Sequence, residues 1–267
     1  MASGTYISSN LTKKQLYFMR LLDDNEIDIF TLENIKSLFG ENFDNLNEIL
    51  ENLVNKKILS RFERGKFCRY NFRDEFVISN YLIPDGIVSY WSALNKHGLT
   101  DQFPNTVFVQ TSHEKRSKIV FEVQYKFIQV LNKKIAGIQL QGFGNHQFRM
   151  TDIEKTIVDC FDKPQYSGGY AELIKAFGNT KLNGEKMINY CHVIENIAAT
   201  MRMGFLAELL KKPGLKTFIS YAHKKVNVKY NLFDPLGPEK GEFNRTWKLR
   251  LNISKEKLSQ ICNKIDE

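Results

Sequence analysis

The residues best suited to catalysis form a carboxylate pattern in the middle of the chain. Asp85 follows Pro84, and Glu122 stands two residues before Gln124. Metal-dependent nucleases use two such carboxylates to hold a divalent ion, together with a lysine that orients the attacking water. Gln124 occupies the lysine position without a charge, and Pro-Asp-Gly forms a turn without any metal. We therefore predict no catalytic residue and no metal site here, and we expect a protein that is not an enzyme.

A second group of carboxylates, Asp152, Glu154 and Asp159, lies on or beside one predicted helix. Glu154 is expected to close a capping box that begins at Thr151, and no histidine, cysteine or lysine partner is evident. The five histidines are scattered, the four cysteines stand far apart, and no nucleotide-binding or hydrolase motif occurs. The cysteines are expected to be reduced and mostly buried. The sequence thus indicates no cofactor.

The formal net charge of +8 is unevenly distributed along the chain. Residues 1–78 contain 11 Lys and Arg against 12 Asp and Glu, whereas residues 79–267 contain 27 against 18, a net +9. A basic excess favours an anionic partner through long-range attraction. No apolar run reaches the roughly 18–20 residues that cross a bilayer, and no signal-peptide pattern opens the chain. We expect a cytoplasmic protein with no membrane partner.

The first 78 residues have the pattern of a winged helix-turn-helix domain. Thr12 and Gln15 form a capping box, and the helix that follows is expected to bury Leu16, Met19 and Leu22. Two more short helices come next, and residues 56–73 then alternate as two strands about a turn at Arg64–Gly65. Three helices and a hairpin in about 70 residues indicate this domain, with the hairpin as its wing.

The predicted wing is rich in cations and is the candidate contact with double-stranded DNA. Cations beside a turn can approach a phosphate backbone. Residues 56–73 contain seven cations, and the candidate contacts are all of them except Arg73: Lys56, Lys57, Arg61, Arg64, Lys66 and Arg69. On the third helix, Asn45 and Asn47 could contact adenine edges, whereas phosphates would repel Asp44, Glu48 and Glu51. The alternative is a winged helix used for protein contact or for dimerisation, which would give a homodimer. Phosphate contact through the wing is the favoured interpretation.

Residues 79–267 form a second predicted domain of the α+β class. Strands rich in β-branched and aromatic residues come first and predict a mostly antiparallel or mixed sheet. Helices follow, including one long helix over roughly 185–211. A lysine run without intervening acids offers a second anionic contact, through Lys211, Lys212, Lys216, Lys224 and Lys225. A solvated lysine-rich surface explains the same run.

Three segments of this larger part carry a family resemblance. IPDGIVSYWSALNKHGLTDQFPNTVFVQT occupies 83–111, TDIEKTIVDCFDKPQYSGG occupies 151–169, and LFDPLGPEKGEFNRTWKLRLNI occupies 232–253. With these segments the chain resembles the AbiEi-like antitoxins and transcriptional regulators of AbiE-type toxin–antitoxin and phage-defence systems.

The resemblance implies a winged-helix domain that binds inverted repeats in the operon's own promoter. It also implies that residues 79–267 form an antitoxin domain that neutralises, directly or indirectly, a nucleotidyltransferase-like toxin encoded next door. The expected function is therefore that of a DNA-binding transcriptional autoregulator and antitoxin. The acidic third helix departs from this expectation, and no short motif marks the residues that carry antitoxin activity.

Overall fold

The computed structural model describes residues 10–40 and 43–263, and the chain divides into two compact units. The small unit comprises the chain up to Gly86 together with Ile119–Val123 and Leu140–Phe148. The large unit comprises Ile87–Lys118, Gln124–Gln139 and the chain from Arg149 onwards. The predicted boundary lay after residue 78, and the sequence did not indicate that two later segments would join the small unit.

The small unit begins with three helices and a three-stranded sheet. In chain order its elements are α1 (Lys13–Asp24), β1 (Ile29–Thr31), α2 (Leu32–Phe39), α3 (Leu46–Asn55), β2 (Leu59–Glu63), β3 (Lys66–Arg69) and α4 (Glu75–Leu82). β3 pairs antiparallel with both β1 and β2, which gives the order β1-β3-β2. The predicted hairpin is confirmed, while β1 was not expected because three residues are too few to show a period. The interpretation of these elements as a winged helix-turn-helix stays a prediction.

The start of α1 is confirmed, and its predicted buried face is right at Leu22, partly right at Met19 and wrong at Leu16. The Gln15 amide donates to Thr12 Oγ1 at 3.2 Å, and the Thr12 amide donates to Gln15 Oε1 at 3.1 Å. Leu16 is 54% exposed, whereas Gln15, Phe18 and Leu22 are buried. Phe18 turns this face inward because its ring packs edge-on against two other phenylalanines of the core.

Asn145 completes the sheet of the small unit by capping the outer edge of β1. Its Oδ1 accepts from the amides of Asp28 and Ile29 at 2.8 and 2.9 Å. Its Nδ2 donates to the Ile29 carbonyl at 2.8 Å and to the Tyr81 hydroxyl at 3.0 Å. An open strand edge leaves backbone groups unpaired. Here the Asn145 side chain satisfies the backbone groups of Asp28 and Ile29 that a fourth strand would otherwise pair.

The chain from Ile87 onwards has the predicted α+β class. In chain order, its helices and strands are β4 (Ile87–Val88), α5 (Tyr90–Lys96), β5 (Thr106–Thr111), β6 (Lys118–Val120), β7 (Val123–Gln129), β8 (Ile138–Gln141), β9 (Phe148–Thr151), α6 (Ile153–Asp162), α7 (Tyr170–Asn179), α8 (Gly184–Ile194), α9 (Ile197–Leu209), α10 (Lys216–Lys225), β10 (Asn231–Leu232), β11 (Glu242–Asn244), β12 (Leu249–Leu251) and α11 (Lys255–Asn263). One mixed sheet has the order β6-β7-β5-β4-β9-β8 and a second has the order β10-β12-β11.

The central helix of the large unit is α6, which is buried along its length and packs against α5, α7, α8 and α9. The predicted capping box at Thr151 is wrong. Asp152 is the N-cap, and its Oδ1 accepts from the Lys155 amide at 2.8 Å. Glu154 instead accepts from the Asn183 amide at 3.0 Å and so holds the start of α8. The short Asp152 side chain reaches the free amides of the first turn, as preferred N-cap residues do.

The single long helix predicted over 185–211 is in fact two helices, α8 and α9. Glu195 lies between them in the left-handed region, with φ of 57°. Asn196 then starts α9, because its Oδ1 accepts from the Ala199 amide at 3.0 Å. An asparagine inside a helical pattern was the signal for this break.

Candidate nucleic-acid interface

The hairpin formed by β2 and β3 presents the turn on which the DNA hypothesis depends. Gly65 adopts φ of +73°, a left-handed conformation that suits glycine. The Gly65 carbonyl accepts from the Leu32 amide at 2.7 Å, which ties the turn to the start of α2. Arg64, next to Gly65, is exposed. The turn is thus held in place by the backbone while its arginine faces solvent.

Three of the predicted DNA-contacting cations are paired with carboxylates of the same unit. Arg61 pairs with Glu51 of α3, and Arg69 pairs with Asp23 of α1. Arg69 Nε also lies 3.5 Å from Asp28 Oδ1. Lys66 Nζ lies 2.6 Å from Glu63 Oε2 and donates to the Leu82 carbonyl at 3.1 Å. A phosphate would have to compete with these internal partners.

Lys56 is also engaged within the small unit. Its Nζ donates to the Asn10 carbonyl at 2.6 Å and to Gln15 Oε1 at 2.9 Å, which joins the end of α3 to the start of α1. Arg73, which belongs to the same cationic stretch, donates to the Tyr70 and Phe72 carbonyls and stacks 4.2 Å from the ring centroid of Phe121. These cations stabilise the fold of the unit.

Lys57 and Arg64 are the two predicted cations left exposed without an ion pair within residues 10–40 and 43–263. Lys57 has φ of 56° and follows Lys56, the C-cap residue of α3. Its amide donates to the Val54 carbonyl, and the Ile58 amide donates to the Leu53 carbonyl. This is a Schellman ending with lysine at the position that glycine usually occupies.

The exposed side of α3 is neutral to acidic. Asn45 is the N-cap residue but its side chain makes no capping bond, and Asn47 is exposed in the first turn. Glu48 and Glu51 share this exposed surface. A cleft of about 500 Å³ lies between the end of α2 and the start of α3, with Lys36, Asp44, Asn47 and Glu48 among its lining residues. One lysine and two carboxylates give this cleft little attraction for a phosphate.

The lysine run of the large unit does not form one patch. Lys212 Nζ donates to the carbonyls of Gly178 and Thr180 at 2.7 Å each, where it caps the end of α7. Burial lowers the pKa of Lys212. The prediction that this lysine contacts an external anion conflicts with its role here, because its ammonium group already donates to two carbonyls at the end of α7.

The other lysines of that run are exposed but lie apart. Lys216 is the first residue of α10, and Lys224 and Lys225 end the same helix. A helix of this length separates its ends by roughly 14 Å. Lys211 is exposed next to α9 with φ of 48°. Lys224 and Lys225 are favourably placed near the negative end of the α10 dipole, which explains their position without any ligand.

The carboxylates around α6 have lysine partners that the sequence did not reveal. Lys186 Nζ of α8 lies 3.0 Å from Asp152 Oδ2 and 3.4 Å from Glu154 Oε2. Tyr190, one helical turn further along α8, donates to Asp152 Oδ2 at 2.7 Å. Burial and this hydrogen bond raise the pKa of Tyr190. The partners come from a helix about 35 residues away, so no local spacing could have indicated them.

Lys155 and Asp159 form a fully buried ion pair inside α6, with side chains 0% and 1% exposed. Asp159 Oδ2 also accepts from Gln110 Nε2 at 2.7 Å. Burial raises the pKa of Asp159, although the neighbouring Lys155 opposes this shift. The i, i+4 spacing of the pair was visible in the sequence. Because the pair is sealed from solvent, we assign it a structural role.

The described part of the chain contains no group of three or more His, Cys, Asp or Glu residues arranged to hold a metal ion. In the nuclease-like pattern, Gln124 Oε1 accepts from Thr106 Oγ1 at 3.1 Å.

Over the same described residues, the helices are all too short or too polar to span a bilayer. Cys68, Cys160 and Cys191 are buried free thiols, as predicted, and Cys262 is half-buried.

Comparison with known proteins identifies a shared fold. No family model and no curated protein matches the chain. The crystal structure of the RV2827C protein from Mycobacterium tuberculosis is similar, with a TM-score of 0.67 and 12% sequence identity. The similarity covers 91% of this chain and 92% of that one. At this identity the comparison establishes the α+β fold and nothing about activity.

Proposed function

We propose that this protein is a DNA-binding transcriptional autoregulator and antitoxin of an AbiE-type toxin–antitoxin system, acting in the cytoplasm. In this proposal it represses its own operon and neutralises a nucleotidyltransferase-like toxin. The resemblance of the three quoted segments supports the antitoxin part. The exposed Arg64, held at a fixed hairpin turn, is the observation that supports DNA contact.

The DNA contact in this proposal is narrower than the one predicted from the sequence. Arg64 and Lys57 contact phosphates, whereas Arg61, Lys66 and Arg69 keep their internal carboxylate partners. Asn47 is the residue of α3 best exposed for a base edge. Two phosphate contacts per chain are few, so we expect weak binding with a shallow salt dependence, which two copies on an inverted repeat would strengthen.

Titration of the native upstream DNA at several salt concentrations tests this proposal. Arg64→Ala should weaken binding on every sequence and lower the salt slope by about 1. Lys66→Ala is the matched control, because it removes a cation from the other side of the same turn whose charge is already paired. If Arg64→Ala and the unaltered protein bind with equal affinity, the wing does not contact DNA through Arg64.

A second candidate function is a protein-interaction module that uses α3. The acidic residues Asp44, Glu48 and Glu51 on and next to this helix favour a basic protein surface over DNA. In that case the protein should co-purify with the toxin encoded beside it, and Glu48→Lys should disrupt the complex. The upstream DNA should then remain unbound even at low salt.

A further inference from the structure

An exposed phenylalanine, a half-buried tyrosine and two half-buried cations lie together at the C-terminal sheet of the large unit. Phe243 of β11 is 58% exposed, and its ring centroid lies 5.0 Å from that of Tyr230 with the planes at 85°. Arg250 lies over the Phe243 ring at 5.3 Å, and Lys248 lies over the Tyr230 ring at 5.1 Å. We call these four residues the aromatic platform.

The strand register places Phe243 and Arg250 on the outer face of this sheet. Phe243 of β11 is directly opposite Arg250 of β12. The neighbouring pairs, Glu242 with Leu251 and Asn244 with Leu249, belong to the other face, where both leucines are buried. The acidic residue of β11 therefore lies on the face opposite to Phe243, and the platform itself has two cations and no carboxylate.

A buried tryptophan fixes the chain between β11 and β12, the two strands that carry Phe243 and Arg250. Trp247 is buried, and its amide donates to Asn244 Oδ1 at 2.8 Å while its Nε1 donates to Glu208 Oε2 at 2.6 Å. His223 of α10 stacks on the Trp247 indole with centroids 3.9 Å apart. A surface supported in this way can bind a ligand without first becoming ordered.

We propose that the aromatic platform binds single-stranded nucleic acid. Unpaired bases can stack on an exposed ring, and adjacent cations follow the phosphate backbone. In a duplex the bases already stack on one another, so Phe243 would add nothing to its binding. The adjoining chain segments carry three more exposed cations and two exposed carboxylates, Glu239 and Glu242; the cations are Lys229, Lys240 and Arg245. An acidic protein would use the cations but would gain little from the rings.

This inference is independent of promoter binding by the wing, and its test uses different nucleic acids. Labelled RNA and DNA single strands of about 12 nucleotides, within the usual range of site sizes, are titrated against the full-length protein beside a duplex of the same length. We expect a single strand to bind more tightly than the duplex. Phe243→Leu should weaken that binding about five- to hundredfold, because one stacked base is lost.

Matched variants separate stacking from general charge attraction. Phe243→Tyr keeps the ring and should retain affinity, whereas Arg250→Gln should lower the salt slope by about 0.7, the value for one phosphate contact on a single strand. Lys181→Ala removes an exposed cation elsewhere in the same unit, outside the candidate anionic contacts, and should have no effect. Irradiation of 4-thiouridine RNA should crosslink to the peptides that contain Tyr230 or Phe243.

Several outcomes would overturn the proposal. These are tighter binding of the duplex, equal affinities of Phe243→Leu and the unaltered protein, or loss of single-strand binding in Arg64→Ala instead. A competition experiment with polyglutamate gives a further test. If polyglutamate displaces the single strand equally well from the unaltered protein and from Phe243→Leu, the platform binds an acidic protein instead. Failure of promoter binding with intact single-strand binding would reject the proposed regulator and leave the platform in place.

Discussion

In the small unit, Arg61, Lys66 and Arg69 pair with carboxylates that lie beside them. At the C-terminal sheet of the large unit, Lys248 lies over the half-buried ring of Tyr230 and Arg250 over the exposed ring of Phe243. The first set of cations contributes to the fold, because each has an internal acceptor. The second set lies over rings rather than carboxylates, and a ring is a weak partner that a phosphate can supplement, although Arg250 Nε also donates to the Gly241 carbonyl at 3.5 Å.

This difference shows why a count of cations was a poor guide to the binding surface. The hairpin region looked strongly basic because its acidic partners, such as Asp23 and Glu51, lie in other elements. Once those partners are included, Arg64 and Lys57 carry the proposal for DNA. The large unit also contains engaged cations, namely Lys155 and Lys212, so both units need testing residue by residue.

The largest expected effect is that of Lys155→Met, which leaves Asp159 buried without its ion-pair partner. Loss of one partner from a buried pair costs about 3–5 kcal/mol in the free energy of unfolding. Chemical denaturation followed by circular dichroism measures this loss. Adding Asp159→Leu to Lys155→Met should restore part of the stability, because no buried charge then remains in α6.

The same variant has a predictable pH dependence. Burial raises the pKa of Asp159 above that of the unfolded chain, so the folded state holds the proton more tightly. Stability therefore rises as the pH falls through the folded pKa, and the penalty of Lys155→Met should be smaller at pH 5 than at pH 8. An equal penalty at both values would mean that Asp159 stays ionised through contacts other than Lys155.

Much of the fold could be predicted from the sequence because its signals are local. The capping box of Thr12 and Gln15 and the hairpin turn at Arg64–Gly65 depend on residues a few positions apart. The cap of β1 by Asn145 and the bridge from Lys186 to Asp152 join residues 116 and 34 positions apart. Such contacts leave no period or motif, so the sequence could not show which cations and carboxylates were already paired.

The aromatic platform escaped prediction for a similar reason. Tyr230, Phe243, Lys248 and Arg250 are spread over 21 residues and lie on three adjacent chain segments. Alternation within β11 and β12 covers three residues in each strand, too few to reveal an exposed face. The lysine run, which was visible, is instead divided between the two ends of α10 and the cap of α7.

An intermediate effect is expected for substitution of Lys212, whose ammonium group is hydrogen-bonded within the fold, in contrast to that of the exposed Lys211. Lys212→Met removes the donors that satisfy the Gly178 and Thr180 carbonyls and should cost about 1–3 kcal/mol. Lys211→Met is the matched control and should change the free energy of unfolding by about 0.5 kcal/mol or less. Thermal or urea unfolding of both variants checks this difference. Equal losses would show that removal of a lysine charge from this turn, rather than capping of α7, determines the effect.

The smallest expected effect is that of Lys57→Gly, which changes charge and backbone strain at once. Glycine fits φ of 56° without a penalty, so this variant should gain about 0.5–1 kcal/mol in the free energy of unfolding. Lys57→Ala removes the same charge but keeps the unfavourable conformation, so its stability should not rise.

If Lys57 contacts a phosphate, both variants should lose the same affinity for the upstream DNA and the same increment of salt slope. A loss confined to Lys57→Ala would mean that the end of α3, and not the lysine charge, determines DNA binding. Measuring unfolding and DNA titration on this one pair thus separates the two roles that a cation of the small unit can have.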